Sequence, residues 1–391
     1  MSAFRPVVIL KNNHNPKKGL PHLRQSLVVF QFVITIAFII SSLLIFKQIK
    51  YIQNKTLGLN EENVVFFPQS LYLKKHRESF KQELEKQPGI ISVTYTSDSP
   101  LEVNSNTYGT NWRGKNPDDQ VPVPYINVDH DFCKTFGIDI IAGRDFNEQY
   151  ASDTNSVIIN EIYARIMGME DPVGEILDYW GRKATIIGVV KDFHIGTMRL
   201  PLQQLLIINR ASDTWFTMVR IDGSIRKRAL QNLEKTFRAF DESVPFEYRF
   251  VDEKYAENYK AEKYLGRLAL LFTILSIVIS CLGLFGLALF TAEQRTKEIG
   301  IRKSIGAKTS QVMALLTKKF LGWVLISFGI ASIIAYYVMH SWLEGFAYRT
   351  SISTGIFVTT GSIALVIALV TVGWQAYRAA NKNPVEALRY E

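Results

Sequence analysis

Three observations predict an α-helical membrane protein with four transmembrane helices plus a large α+β extracytoplasmic domain carrying a β-rich insertion. Four apolar runs contain no charge, Lys and Arg are distributed one-sidedly, and one long segment alternates strand-like and helix-like patterns. The 391 residues are 47% hydrophobic and 21% charged, with 24 Phe and 17 Tyr, which is too apolar and aromatic for a disordered chain. Two cysteines exclude a disulfide-stapled scaffold, and no period of roughly 20–50 residues recurs to suggest a solenoid.

The first run, 27–46, has 15 Leu, Ile, Val or Phe among its 20 residues. At about −0.4 kcal/mol each this favours insertion by roughly −6 kcal/mol before its polar residues are counted. The others are 268–290, 320–339 and 355–374. Twenty helical residues rise about 30 Å, the thickness of the hydrocarbon layer. Basic residues set the orientation. Segments 1–26, 291–319 and 375–391 together hold 15 basic and 4 acidic residues, net +11. Segment 47–267 holds 29 basic and 31 acidic residues, and the short loop 340–354 is neutral. The positive-inside rule then places the N-terminal segment, the 291–319 region and the 375–391 tail in the cytoplasm, with 47–267 and 340–354 outside. The net charge of +9 faces anionic lipid and needs no nucleic acid to explain it. The first run is too long for a signal-peptide core, lacks a small-x-small cleavage site, and is expected to stay as an anchor.

Within 47–267, residues 47–58 and 252–267 read as two stalk helices continuing the flanking spans. A strand (63–67, stopped by Pro68), an amphipathic helix (71–87) and a strand (90–96) form one unit. A strand (215–221), a helix (226–240) and a strand (246–251) repeat it, so the two should build one α+β subdomain. The intervening stretch 100–212 reads as the β-rich insertion, with 100–128 rich in turn formers and expected to be mobile.

Catalytic signatures are missing from the sequence. There is no G-x-x-x-x-G-K-[ST], so ATP hydrolysis by this chain alone is not expected, and no H-E-x-x-H, C-x-x-C or G-x-S-x-G. Asp129-His-Asp-Phe-Cys133 contains metal-ligand residue types. Five adjacent residues converge poorly on one ion, so a solvated turn is favoured. Asp192 and His194 could form an acid–base pair, but without a nearby nucleophile motif a turn after the Val189-Val190 strand is favoured. Gly283-Leu-Phe-Gly286 reads as helix packing. Cys133 and Cys281 fall in different layers and should not pair. The spans carry no buried charge of the kind that ion-coupled carriers use.

The most informative stretch is Ala292-Glu-Gln-Arg-Thr-Lys-Glu-Ile-Gly-Ile-Arg-Lys-Ser-Ile-Gly-Ala307. Snorkelling at a lipid surface would account for its Lys and Arg. It would not account for the interleaved Glu293, Glu298, Ile299, Ile301 and Ile305, a pattern that suits a helix docked on another protein. Gly306 should end that helix before an amphipathic run restarts along the membrane. Residues 298–307 resemble the signature of the FtsX-like permeases, the family that includes the MacB and Lol lipoprotein-release transporters. Gly137-Ile-Asp-Ile-Ile-Ala-Gly-Arg-Asp-Phe146, Val157-Ile-Ile-Asn160 and Ile187-Gly-Val-Val-Lys-Asp-Phe-His194 resemble the MacB-like periplasmic core domain, and the ending Asn383–Glu391 is similar to the family's. The type is that of Bacteroidetes permeases, in which two such halves stand in tandem. Residues 2–11 resemble the linker that opens the second half, so the chain is expected to be either a half-size permease or a piece of a tandem one.

The resemblance implies a bacterial inner-membrane, multi-pass ABC transporter permease that binds no cofactor itself and is not an enzyme. A separate cytoplasmic ATPase would use ATP, and a second permease half would pair with this one. Periplasmic or outer-membrane partners would join in export, lipoprotein release or mechanotransmission. In this picture Glu293, Arg295, Lys297, Glu298, Arg302 and Lys303 make polar contacts with the ATPase. Ile299, Ile301 and Ile305 supply the buried part of that contact, and Gly300 and Gly306 set the backbone. The rival is a membrane-anchored extracytoplasmic sensor. Its output domain would have to fit in inside segments of 26, 29 and 17 residues.

Overall fold

A computed structural model describes residues 20–116 and 118–381. Two units compose it. One, the membrane unit, holds 20–51, 262–345 and 349–381; the other, the head, holds 52–116, 118–261 and 346–348.

Helix α1 (Leu20–Gln53) contains the first apolar run and outlasts it at both ends. The head then begins with β1 (Val64–Pro68), followed by α2 (Leu71–Lys75), α3 (Arg77–Glu85) and β2 (Ile90–Thr96). The single helix expected over 71–87 is broken at His76. Its backbone leaves helical geometry (φ −113°, ψ 22°) and its ring stacks on Tyr72 at 4.2 Å. Ser70 caps α2 by accepting from the Leu73 N–H at 3.1 Å. At the other end of the head lie β11 (Phe216–Ile221), α6 (Arg226–Phe240) and β12 (Arg249–Phe250). The last strand is shorter than the expected 246–251. Phe246 turns into an aromatic cluster, 5.4 Å from the Phe67 ring and 5.0 Å from the Phe237 ring, while Val251 opens helix α7 (Val251–Glu257).

The sheet order here is β12-β1-β11-β2, each neighbour antiparallel. Each strand–helix–strand unit is therefore split by a strand of the other, a ferredoxin-like interleaving. The helices close over one face, burying Phe80, Leu84, Leu233 and Phe237 on Val65, Phe67, Val93 and Val219.

The insertion extends the same sheet through β5 (Val123–Val128), β10 (Leu206–Asn209), β7 (Ser156–Asn160), β9 (Arg182–Val190), β8 (Ile176–Tyr179) and β4 (Thr110–Trp112). β3 (Asn106–Thr107) pairs with β5, and β6 (Ile140–Gly143) with β9. The turn-rich stretch 100–128 thus contributes three strands. All five residues of β7 are buried, between parallel β9 and antiparallel β10, which is why its centre, Val157-Ile-Ile159, does not alternate with polar residues. Two short helices, α4 (Phe132–Phe136) and α5 (Glu161–Met167), complete the head, and Tyr163 of α5 anchors a second core with Trp112 and Ile186.

The chain leaving α1 is seated on the head at several points. The Leu57 carbonyl accepts from the His194 N–H at 2.8 Å, and the Asn60 N–H donates to the Phe136 carbonyl at 2.7 Å. Arg220 donates to the carbonyls of Asn60, Glu62 and Thr135. Gly58 has φ +85°, and a Cβ there would stand 2.7 Å from the Asp192 carbonyl oxygen.

Helices α8 (Lys260–Gln294), α9 (Thr296–Ser304), α10 (Thr309–Glu344) and α11 (Thr354–Ala380) complete the chain. The second stalk is interrupted at Asn258–Tyr259, where Tyr259 turns its side chain into the head and is 4% exposed. Among the described residues α1, α8, α10 and α11 are long and apolar enough to cross a membrane. Half of the apolar window of α1 is buried, against 22% for each of the others, so α1 is the core of its bundle. Val28, Phe32, Ile36, Ile40 and Leu44 form its inward stripe, against Leu284, Phe320, Val324, Ala331, Ala364 and Ala368. Hydroxyls cross-link the helices: Thr35 with Ser280 at 2.8 Å, Ser42 with Thr273 at 2.9 Å, and Ser327 with the Val29 carbonyl at 3.0 Å. Gly283 lets α8 approach Gln31, whereas Gly286 faces open space, so only the first glycine of that pair serves packing.

Candidate docking site

The region 291–319 is a helical hairpin. Helix α8 ends at Gln294, α9 follows, and α10 begins at Thr309 and continues as the third membrane helix. The amphipathic restart expected along the membrane is therefore the first turns of that same helix. Gly306, at φ +95°, ends α9, and the Ala307 N–H returns to the Arg302 carbonyl at 3.0 Å, closing a Schellman-like turn. The Gln311 side chain accepts from the Lys308 N–H at 3.1 Å at the start of α10.

Helix α9 presents two faces. Ile299, 7% exposed, packs on Val312 and Leu316 of α10 and Ala376 of α11. Gly300 beside it is also buried, and its carbonyl accepts from the Ser304 hydroxyl at 2.9 Å. On the open side, Arg302 and Glu298 pair at 2.8 Å across one turn, with Arg295 3.9 Å from the same carboxylate. Ile301 and Ile305 are 47% and 80% exposed, and Glu293 is exposed. This corrects one part of the expected site. Ile299 is consumed within the chain and holds α9 in place, and Ile301 and Ile305 are the isoleucines of the expected site that stay exposed. The side chains of Lys297 and Lys303 lie outside the described residues, as does the ending 383–391.

In the head, the supposed turn at Asp129–Cys133 is a buried ion cluster. Lys81 of α3 places Nζ 2.8 Å from Asp129 and 2.5 Å from Asp131. Asp129 also accepts from the Thr94 hydroxyl, and His130 sits 3.2 Å from Asp131. Burial works against the charged form of Asp131, but hydrogen bonds from His130 and Lys81 outweigh it and hold its carboxyl well below the usual range. Asp129, His130 and Asp131 do bring ligand atoms within 4.8 Å of one another. The ammonium of Lys81 already occupies the space between the carboxylates, so this donor set serves a cation of the chain itself. Sequence reading missed it because Lys81 lies 48 residues away, on a helix whose charged face looked solvated.

Asp192 and His194 are not brought together. Asp192 pairs with Arg165 at 2.7 Å and accepts from the Ile162 N–H at 2.9 Å. His194, 4% exposed, lies edge-on to the Tyr348 ring at 4.8 Å, and burial with the nearby Lys55 charge pushes its pKa down to about 4. Both cysteines are free, Cys133 buried in the head and Cys281 in α8.

The model of the MacB-like periplasmic core domain matches residues 27–235, and that of the FtsX-like permease C-terminal matches residues 270–384. The macrolide export ATP-binding/permease protein MacB of Chromobacterium violaceum is 24% identical over 285 residues, covering 68% of this chain and 43% of that protein. The uncharacterized ABC transporter permease YknZ of Bacillus subtilis is 24% identical over 279 residues, 68% of each chain. The chain thus spans less than half the length of that MacB relative. The crystal structure of the periplasmic region of MacB from Actinobacillus actinomycetemcomitans covers 54% of this chain and 98% of its own, with 17% identity and a TM-score of 0.37. With one of these family models matching more than half of its residues and the other its membrane-helical remainder, this chain belongs to the MacB/FtsX-type ABC transporter permeases.

Proposed function

We propose that this chain couples ATP hydrolysis by a separate cytoplasmic ATPase to movement of its head on the periplasmic side of the inner membrane. It would bind no nucleotide itself. Both ends of the chain and the α9 hairpin would face the cytoplasm, and a second permease half would complete the unit. The work done outside would be export, lipoprotein release or mechanical control of a periplasmic or outer-membrane partner; macrolide export is what the MacB relative's own name states.

The observation that carries this reading is the face division of α9. Ile299 pins the helix to α10 and α11, while Glu298, Arg302, Ile301 and Ile305 stay outward. A rigidly held helix with an outward ion pair flanked by exposed isoleucines suits a protein partner. Movement of that partner would be passed directly to the two membrane helices on which α9 is seated.

Exchanging Glu298→Lys with Arg302→Glu tests the docking. The pair keeps its mutual attraction, so helix stability should change by a few tenths of a kcal/mol. A partner would meet the wrong charge at both points, at a cost of about several kcal/mol. Loss of ATPase co-purification and of stimulated hydrolysis in nanodiscs is expected. Unchanged recovery and activity would remove α9 as the docking element.

A further inference from the structure

Between β9 and β10 the head carries a loop, 194–202, that gathers three segments from distant points in the chain. The Met198 N–H donates to the Tyr259 hydroxyl at 2.7 Å, just before α8 begins. The Ala347 and Tyr348 N–H groups donate to the carbonyls of Arg199 at 3.0 Å and Met198 at 3.3 Å. The Leu202 N–H donates to the Tyr348 hydroxyl at 3.3 Å. The Tyr348 ring stands between the His194 ring, 4.8 Å away, and the Lys55 ammonium, 3.7 Å from its centroid and two residues beyond α1. Phe346 is 3% exposed, with the Arg199 guanidinium 4.9 Å over its ring.

Residues 346–348 lie between α10 and α11 in sequence, yet they belong to the head. A short loop connecting two membrane helices needs no such attachment. This one gives up its backbone donors, a phenol and two rings to the head.

We propose that Tyr348 is the positioning residue that makes the loop between the third and fourth membrane helices a further drive point on the head, besides the two covalent connections through α1 and α8. Within the head, Tyr348 then joins Tyr259 at the 194–202 loop, with Lys55 against its ring. The hydroxyl supplies one bond to Leu202. The ring, gripped on two sides, carries the load, so Tyr348→Phe should serve nearly as well as the native residue and Tyr348→Ala should not.

The proposal rests on the reading that ATP turnover moves the head, and the experiment separates the two. The chain is reconstituted in nanodiscs with its ATPase, with dyes on azido residues replacing Ser152 in the head and Ser341 in α10. Single-molecule energy transfer follows their separation with and without ATP. Wild type is expected to show a nucleotide-driven shift. Tyr348→Ala is expected to lose about half of it or more while kcat for ATP stays within about twofold, and Tyr348→Phe to keep it. Tyr348→Leu, which preserves apolar bulk for folding, is expected to behave as the alanine variant does. In the Tyr348→Ala background, an oxidised pair from Arg199→Cys and Ala347→Cys should restore the shift, and its reduction should abolish it. A full shift in Tyr348→Ala or Tyr348→Leu, or no recovery with the pair formed, overturns the role of Tyr348 alone. No shift in the wild type overturns the moving-head reading and this proposal with it.

Discussion

Replacing Lys81 by Met removes the ammonium held between the buried Asp129 and the half-buried Asp131 carboxylates while keeping the side-chain volume near the native one. In the native head Nζ lies 2.8 Å from Asp129 and 2.5 Å from Asp131, and the Lys81 and Asp129 side chains are each 5% exposed. Breaking a buried pair from one side costs about 3–5 kcal/mol, because the partner charge stays buried without compensation. In opening equilibrium that is roughly two to almost four decades, at 1.36 kcal/mol per decade. The pH dependence has a definite sign. In the wild type Asp131 is held below the usual carboxylate range, so its contribution is complete above about pH 4 and is lost only as pH falls further. Without the ammonium, the burial that works against the charged form of Asp131 is less opposed, so that carboxyl takes up its proton at milder acidity. His130, 3.2 Å from Asp131, gains its proton over the same range and supplies a new cation. The penalty should therefore shrink as pH falls from 7.5 to 5.5. Hydrogen exchange of the full chain in detergent, read at β2 and β5 and normalised to intrinsic rates, gives the variant-minus-wild-type difference at each pH. A penalty below about 1 kcal/mol at pH 7.5, or one that grows on acidification, would refute the reasoning.

Asp145→Asn should act in the opposite direction. Burial pushes the Asp145 carboxyl up to about 6, so the wild type loses stability as pH rises through that value. The variant should match it near pH 4 and exceed it by roughly 3 kcal/mol at most at pH 8, in the same exchange assay. Ile299→Ala should loosen the α9 hairpin by about 2–4 kcal/mol locally, read as faster exchange across 296–316. Ile301→Ala should leave exchange unchanged and weaken ATPase recovery instead. Single cysteines in a Cys-free background give the topology: Ser152→Cys should label from outside intact cells and Ser310→Cys should not, and the reverse pattern contradicts the charge-based orientation.

The four membrane helices were legible in the chain because twenty uncharged apolar residues have few other uses. The two strand–helix–strand units were legible because periods of 2 and 3.6 alternate there, whereas their interleaving in one sheet came from the tertiary structure. The 298–307 stretch was legible as an FtsX-like permease signature, and the FtsX-like permease C-terminal model matches across it. Sequence spacing could not tell which of Ile299, Ile301 and Ile305 faces inward. That depends on where α10 and α11 lie against α9, and the structure buries only the first. Nor could it see Lys81 beneath Asp129 and Asp131, or Tyr348 on the 194–202 loop. Both join residues far apart in the chain, 48 positions in the first case and 146 from Leu202 to Tyr348 in the second. A lone lysine on a charged helix and a lone tyrosine in a short loop carry no local pattern. They acquire partners only when the folded sheet and its loops take them partly or wholly out of water. There an ammonium must find carboxylates and a phenol must find an amide, because an unpaired polar group left buried costs more than the bond returns.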